Sequence, residues 1–269
     1  MGDENNMYKK TIWLTLLLVA VISSLVFMSG FITTLIITNS STLNSNTKVN
    51  TTISSKSKPS VAENINTYNI LIMGDSLAKA TGDEKGLGFT NDFVNLQRLK
   101  TTKEVKVDNI SINGDKSINL LQVIENKATM QAIENSKIIF ISIGGNELRQ
   151  FKSNEISITT VKDIENTYLN NLKTTFKLIR SKNKTCTIIF IGLYNPFDKD
   201  LTPDKLKLLN TWNYYTQQLI SDDTNSVFIP TYDLFKYSLK KYLSVDNFHP
   251  NSVGYEAISK RVVEAMKNY

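Results

Sequence analysis

The chain has 269 residues, of which 41% are hydrophobic and 21% are charged, and its formal net charge is +6 with a pI near 9.1. These fractions exclude a disordered or a fibrous protein and are typical of a globular one. The lysines are scattered and form no Arg-rich or aromatic-interleaved stripe. The positive charge therefore favours a solvated surface in an anionic lipid or cell-wall environment over nucleic-acid binding.

The single cysteine, Cys186, limits the chemistry of the chain further. One cysteine excludes an intramolecular disulfide and a Cys/His metal cluster. It lies in the apolar run 185–190, which is typical of a buried strand, so we expect a structural thiol rather than a nucleophile. The sequence implies no metal and no organic cofactor, and it does not indicate an oligomeric state.

The first element in chain order is an apolar segment at residues 11–37. These 27 uncharged residues would extend about 40 Å as a helix, and a membrane span needs only about 20 residues. Lys9 and Lys10 precede the segment and the next cation is Lys48. The positive-inside rule then predicts a short cytoplasmic tail at 1–10, a single transmembrane helix at 11–37 and the rest of the chain outside the cytoplasm. A cleaved signal peptide is the alternative, although its apolar core would be shorter.

Residues 38–66 follow as a stretch rich in Ser, Thr and Asn that shows no hydrophobic period. Such a composition buries too little apolar surface to offset the entropy of ordering, so we predict a flexible linker. From residue 67 to residue 269 the pattern changes, and short β-rich runs alternate with longer helical ones. This region is predicted to be one domain.

The predicted strands of that domain are continuous apolar runs, as expected when helices cover both faces of a parallel sheet. They lie at Ile70–Met73, Val105–Ile112, Lys137–Ile143, Thr185–Gly192 and Ser226–Pro230. The predicted helices lie at Asn91–Lys100, Ile118–Asn135, Val161–Ser181, Pro203–Ser221 and Ser252–Lys267. The alternation predicts a three-layer α/β/α sandwich around a mainly parallel five-stranded sheet.

Sites in such sheets form beyond the carboxyl ends of the strands, and small or polar residues occur at these positions. Gly74–Leu77 follows the first predicted strand, Asn113–Asp115 the second and Gly144–Glu147 the third. Asp246–Pro250 precedes the last predicted helix. Together these four blocks, in this order, resemble the SGNH (GDSL) hydrolase family, and the resemblance extends over nearly all of residues 68–269.

The resemblance implies that the sandwich is of the SGNH/flavodoxin-like kind. It also implies a serine esterase that needs no cofactor. Ser76 would be the nucleophile, His249, the only histidine, the general base, and Asp246 the residue that fixes the tautomer of His249. The backbone N–H groups of Ser76 and Gly114 and the side-chain amide of Asn146 would form the oxyanion hole. The G-x-S-x-G motif of α/β-hydrolases is absent from the sequence.

Each of these residues also has a purely structural interpretation. Ser76 could be a helix cap, Gly114 could supply a positive φ in a turn, and Asn146 could form an Asx turn. His249 followed by Pro250 could be an ordinary helix start. Their joint occurrence, in order and in context, favours catalysis.

Two residues depart from the pattern of the family. Glu147 stands where family members often carry Asp, and we expect it to orient its loop rather than contact substrate. Ala80 stands where many members have Gly, which puts the shape of the turn after Ser76 in question. The polar segment 81–84 that comes next is a candidate for the mouth of the site.

The sequence leaves the substrate and the acyl acceptor open. Hydrolysis of acylated glycans, lysolipids or small esters, by a single-pass membrane protein whose catalytic domain is extracytoplasmic, is the favoured hypothesis. Acyl transfer to cell-envelope glycans by the same residues is the first alternative, although related acetyltransferases usually carry a many-helix membrane domain. A non-catalytic surface module is the second, and the retention of all the candidate residues argues against it.

Overall fold

The computed structural model of the chain describes residues 66–152 and 157–267, together with the isolated positions Trp13, Leu16, Leu17 and Ser23. The predicted tail at 1–10 and nearly all of the predicted span 11–37 and linker 38–66 lie outside the described residues. No helix within the described part of the chain is long and apolar enough to cross a membrane. The chain divides into two units, Met1–Val61 and Ala62–Tyr269, and the second contains all the strands and all four sequence blocks.

Five strands and nine helices alternate along the described part of this unit. In chain order they are β1 (Thr67–Gly74), α1 (Asn91–Lys100), β2 (Glu104–Asn109), α2 (Ser117–Ile124), α3 (Lys127–Asn135), β3 (Ile138–Ser142), α4 (Gly145–Leu148), α5 (Ile158–Lys182), β4 (Thr187–Ile191), α6 (Pro203–Ser221), β5 (Ser226–Ile229), α7 (Tyr232–Lys236), α8 (Leu239–Tyr242) and α9 (Ser252–Ala265). Two 3-10 turns lie at Arg149–Lys152 and Asp198–Asp200.

The five strands form one sheet in the order β2-β1-β3-β4-β5, and every pair is parallel. This confirms the predicted α/β fold with a parallel five-stranded sheet. The chain runs from β1 outward to β2 and then crosses to β3 on the other side of β1. The strand order therefore reverses at β1 and β3, which is where sites form in open parallel sheets.

Successive residues of the central strands point to opposite faces, and each face is buried under a separate layer of helices. Leu71 and Ile139 pack in a cluster with residues of α2, α3, α5 and α6. Ile70 and Phe140 pack in a second cluster with residues of α1, α7 and α9. This two-sided burial explains why the strands read as continuous apolar runs in the sequence.

Two predicted elements differ from the observed ones. The predicted helix 118–135 is two helices, since α2 ends at Ile124 and Asn126 accepts a hydrogen bond from Ala128 N to begin α3. The strand β2, which lies at one edge of the sheet, ends at Asn109 rather than Ile112, and most of its residues are exposed rather than covered on both faces. Cys186 is buried and unpaired just before β4, as expected for a structural thiol.

Candidate active site

The nucleophile candidate Ser76 lies in the turn that leaves the carboxyl end of β1. The turn is held against β3, because the backbone N–H of Asp75 donates to Ser142 O at 2.9 Å. Gly74 has a φ of +124°, and a Cβ at this position would lie 1.8 Å from Ser142 O. No side chain fits there, so a glycine is required where the turn crosses β3.

Asp75 fixes the turn from the inside. Its Oδ1 accepts hydrogen bonds from Leu77 N at 3.1 Å and from Ser142 Oγ at 3.2 Å. Burial raises the pKa of this carboxyl to about 7, and the nearby Glu147 carboxylate adds to the increase, whereas the hydrogen bonds oppose it. Asp75 is therefore a structural residue of the nucleophile turn.

The base candidate His249 lies in the short segment between α8 and α9. Its Nε2 is 2.7 Å from Ser76 Oγ, although 173 residues separate the two positions in the sequence. Its Nδ1 is 2.5 Å from Asp246 Oδ2. The structure thus brings Ser76, His249 and Asp246 into one continuous chain of hydrogen bonds.

Asp246 is anchored on its other oxygen. Oδ1 accepts hydrogen bonds from Ser244 Oγ at 2.7 Å, from Phe248 N at 2.9 Å and from His249 N at 2.9 Å. Partial burial by itself would raise the pKa of Asp246, but the hydrogen bonds from His249, Ser244 and Phe248 outweigh it and hold the pKa well below its usual range. The carboxylate is ionised at neutral pH and points Oδ2 at the imidazole.

The segment that carries the base is tied to the fold at several points. Leu243 and Pro250 form an isolated antiparallel bridge, and Ser244 N donates to His249 O at 2.8 Å. The Tyr194 hydroxyl donates to Phe248 O at 2.6 Å. Sequence reasoning missed Tyr194, because a tyrosine after a buried strand has no distinguishing pattern.

The three oxyanion-hole candidates come from the ends of β1, β2 and β3. Among the hydrogen bonds of the described residues, none has the backbone N–H of Ser76 or Gly114 as its donor. The Nδ2 of Asn146 donates one proton to Asp115 O at 2.8 Å, which leaves its second N–H for another acceptor. Gly114 has a φ of +87°, so the turn geometry considered from the sequence is present as well.

Glu147 makes a second link between the loop after β3, which carries Asn146, and the loop after β2, which carries Gly114. Its Oε1 accepts a hydrogen bond from Ser117 N at 2.6 Å, at the start of α2. The side chain is buried and does not line the recess beside Ser76. This position agrees with the expectation that Glu147 orients a loop.

A recess opens directly beside Ser76 and His249. Apolar side chains form most of the wall, namely Leu77, Leu148, Leu193, Tyr194, Pro196 and Phe248. A mainly apolar lining with a few polar groups, here including Ser76 and His249, is the usual composition of a small-molecule site. The polar segment 81–84 is not part of this lining.

Comparison with known proteins identifies the family. Residues 70–262 match the family model described as GDSL-like Lipase/Acylhydrolase. The chain is 30% identical over 208 residues to the uncharacterized protein YpmR of Bacillus subtilis (strain 168), a match that covers 74% of this chain and 81% of that protein. It is 27% identical over 206 residues to the spore germination lipase LipC of Bacillus licheniformis, with 73% and 95% of the two chains covered.

Among solved structures, the lipase Lip_vut3 from a goat rumen metagenome superposes with a TM-score of 0.68 at 25% sequence identity. That superposition covers 74% of this chain and 97% of the lipase. The family model extends from β1 to α9 and so includes all four sequence blocks. The chain therefore belongs to the GDSL-like lipase/acylhydrolase family and is an ester-hydrolysing enzyme.

Proposed function

We propose that this enzyme is an extracytoplasmic serine esterase in which Ser76, His249 and Asp246 carry out the reaction. The observation that carries the proposal is the unbroken series of contacts from Ser76 Oγ to His249 Nε2 and from His249 Nδ1 to Asp246 Oδ2. A serine hydroxyl is a weak nucleophile until a base accepts its proton, and this geometry supplies the base within hydrogen-bond distance.

The first half of the reaction forms an acyl-enzyme. Ser76 Oγ attacks the ester carbonyl carbon while its proton passes to His249 Nε2, which gives a tetrahedral intermediate and an imidazolium. The Asp246 carboxylate accepts a hydrogen bond from the Nδ1–H of the His249 imidazolium, which stabilises the positive charge and keeps that proton on Nδ1. The C–O bond to the alcohol then breaks, and His249 Nε2 donates its proton to the departing alkoxide.

The oxyanion of the intermediate needs donors that are already oriented toward it. Ser76 N–H, Gly114 N–H and the second N–H of Asn146 have no protein acceptor among the described residues, so all three are available. The contact from Asn146 to Asp115 O and the contact from Glu147 to Ser117 N fix the loop of Gly114 relative to Asn146. Such prior fixing lowers the cost of reorganisation when charge develops.

The second half of the reaction regenerates the enzyme. Water attacks the acyl carbonyl and gives a proton to His249 Nε2, the second tetrahedral intermediate forms, and its C–O bond to Ser76 breaks. His249 returns the proton to Ser76 Oγ, and the carboxylic acid leaves. An acylated glycan, a lysolipid or a small ester is the proposed class of substrate.

The membrane location is part of the same proposal. An uncharged run at 11–37, preceded by Lys9 and Lys10, supports a single-pass anchor with residues 67–269 on the outer side.

One experiment tests both parts. The full chain should hydrolyse p-nitrophenyl acetate, and a membrane-impermeant fluorophosphonate should label Ser76 in intact spheroplasts, with the label recovered in the membrane fraction. Ser76→Ala should lose both labelling and turnover. Activity that persists in Ser76→Ala contradicts the assigned nucleophile, whereas label that appears only after lysis contradicts the location. Product formed on an added glycan faster than free acid is released would identify acyl transfer instead.

A further inference from the structure

The loop that follows the nucleophile turn is built around Asp83. The Oδ1 of Asp83 accepts a hydrogen bond from Lys85 N at 3.0 Å, and its Oδ2 accepts from Leu87 N at 2.9 Å and Gly88 N at 2.8 Å. The backbone of residues 83–88 is thereby folded around one carboxylate. The next residue, Glu84, is held in a fixed direction even though it lies at the surface.

This loop bonds to the start of α9, the helix that begins three residues after the base. Glu84 Oε2 accepts hydrogen bonds from Ser252 N at 2.9 Å and from Ser252 Oγ at 2.7 Å. Ser252 Oγ also lies 2.6 Å from Asp83 Oδ1. The single hydroxyl proton is shared between the two carboxylates, but the bond from Ser252 N belongs to Glu84 alone.

Asp83 and Glu84 both carry negative charge next to the amino end of α9. The hydrogen bonds from Ser252 lower the pKa of Glu84. Partial burial acts to raise the pKa of Asp83, but hydrogen bonds from Ser252 and from its own loop outweigh that effect and lower it. Both groups are ionised at neutral pH, and negative charge is favourable at the amino end of a 14-residue helix such as α9.

The backbone of the loop also lies directly against the base. Gly82 has a φ of +89°, and a Cβ there would lie 2.6 Å from Pro250 O and 2.9 Å from the Cβ of His249. This glycine allows the loop to approach the backbone of His249 more closely than any other residue would. The loop therefore meets the base segment twice, through packing at Gly82 and through hydrogen bonds at Glu84.

The core of α9 provides another link between the nucleophile turn and the base. The buried Tyr255 hydroxyl lies 2.9 Å from Thr81 O and 3.3 Å from Leu77 O, which ties the core of α9 to the nucleophile turn. The segment between α8 and α9 is exposed at Val245, which is 99% exposed, and is held to the fold by the Leu243–Pro250 bridge and by the Tyr194 hydroxyl. The amino end of α9 is therefore one of the points that set the position of His249 relative to Ser76.

We propose that Glu84 is a positioning residue, which holds the amino end of α9 through Ser252 and thereby keeps His249 Nε2 within hydrogen-bond distance of Ser76 Oγ. It contacts neither the reacting atoms nor the recess. Its contribution rests on the proposed Ser-His-Asp function, because it acts only through the base. The segment 81–84, first considered as the mouth of the site, is assigned a different role by its contacts.

The test compares three variants of the full chain: Glu84→Ala, Glu84→Gln, which keeps an acceptor oxygen, and Glu134→Ala, an exposed control on α3. With p-nitrophenyl acetate, Glu84→Ala should lower kcat about tenfold and leave KM within about twofold. Glu84→Gln should recover most of that loss. Fluorophosphonate labelling of Ser76 should slow in parallel, with thermal midpoints within a few degrees of the parent.

The sole histidine supplies a readout that does not depend on activity. In protein labelled with ¹³C-histidine, the single imidazole Cε1–H resonance belongs to His249. It should shift and broaden in Glu84→Ala and remain close to the parent position in Glu84→Gln and Glu134→Ala. An unchanged resonance in Glu84→Ala, or unchanged kcat in an active parent, overturns the positioning role. An inactive parent whose resonance still responds as expected contradicts the proposed function alone.

Discussion

Replacing Asp246 by Asn is expected to impose the wrong tautomer on His249. Oδ1 of Asp246 accepts three hydrogen bonds, from Ser244 Oγ, Phe248 N and His249 N. In Asp246→Asn only the amide oxygen can occupy that position, so the NH2 group must take the place of Oδ2. It then faces His249 Nδ1, where a donor meets a donor unless the ring proton moves to Nε2. An imidazole that is protonated on Nε2 cannot accept the proton of Ser76.

The expected loss follows from the same contacts. Retaining the productive tautomer would forfeit a charge-assisted hydrogen bond, worth about 1.5–3 kcal/mol, and would leave a donor unpaired, at about 1–3 kcal/mol. Because 44% of the Asp246 side chain is exposed, water relieves part of this cost and the lower half of the range applies. A barrier increase of about 3–4 kcal/mol corresponds to a decrease of about 10²–10³ in kcat.

The assay combines steady-state hydrolysis of p-nitrophenyl acetate with ¹⁵N spectra of the single histidine. In the parent, Nδ1 should carry the proton, and in Asp246→Asn the proton should be on Nε2. Thermal midpoints should change little, since the three bonds to the retained oxygen persist. Asp233→Asn, the same substitution at an exposed ion pair with Arg261, is the matched control and should keep full activity. A variant with the Nε2–H tautomer and a kcat within tenfold of the parent would refute the reasoning.

Two further predictions concern stability. Ala80 adopts a left-handed φ of 63°, a conformation that costs an L-residue about 1 kcal/mol. Ala80→Gly should therefore raise the free energy of unfolding, measured by urea titration, by up to about 1 kcal/mol. A marked decrease would contradict this explanation. Burial raises the pKa of Asp75 from 3.8 to about 7. The contribution of this group to the free energy of unfolding is therefore fully present below about pH 4 and is lost as the pH rises to 7. Asp75→Asn should therefore flatten the dependence of unfolding free energy on pH over this window, by up to about 4 kcal/mol, and an unchanged slope would show that Asp75 is not the group responsible.

The parts of the fold that could be predicted from the sequence are those set by local pattern. The helices at Asn91–Lys100 and Pro203–Ser221 have the predicted ends. The second begins at a clear local signal, since Thr202 caps it and a proline occupies its first turn. The break between α2 and α3 was not predicted, since the hydrophobic period continues through it. The short helix α4 was not predicted either, because four residues carry no period.

Sequence blocks predicted which residues meet at the carboxyl edge of the sheet, since each block follows a strand or precedes a helix. Their distances could not be predicted, because Ser76 and His249 are brought together by the docking of α9. Nor did any local pattern reveal that Glu84 contacts Ser252, a pairing that depends on the fold of the whole domain.

The separation of 173 residues between Ser76 and His249 has a consequence for biosynthesis. At about 5–20 residues per second, roughly 9–35 s pass between the synthesis of the serine and that of the histidine. Under the proposed mechanism, the nascent chain carries a serine without its base throughout this interval, and the base becomes effective only when α9 has emerged and docked. The onset of ester hydrolysis would then report completion of the fold.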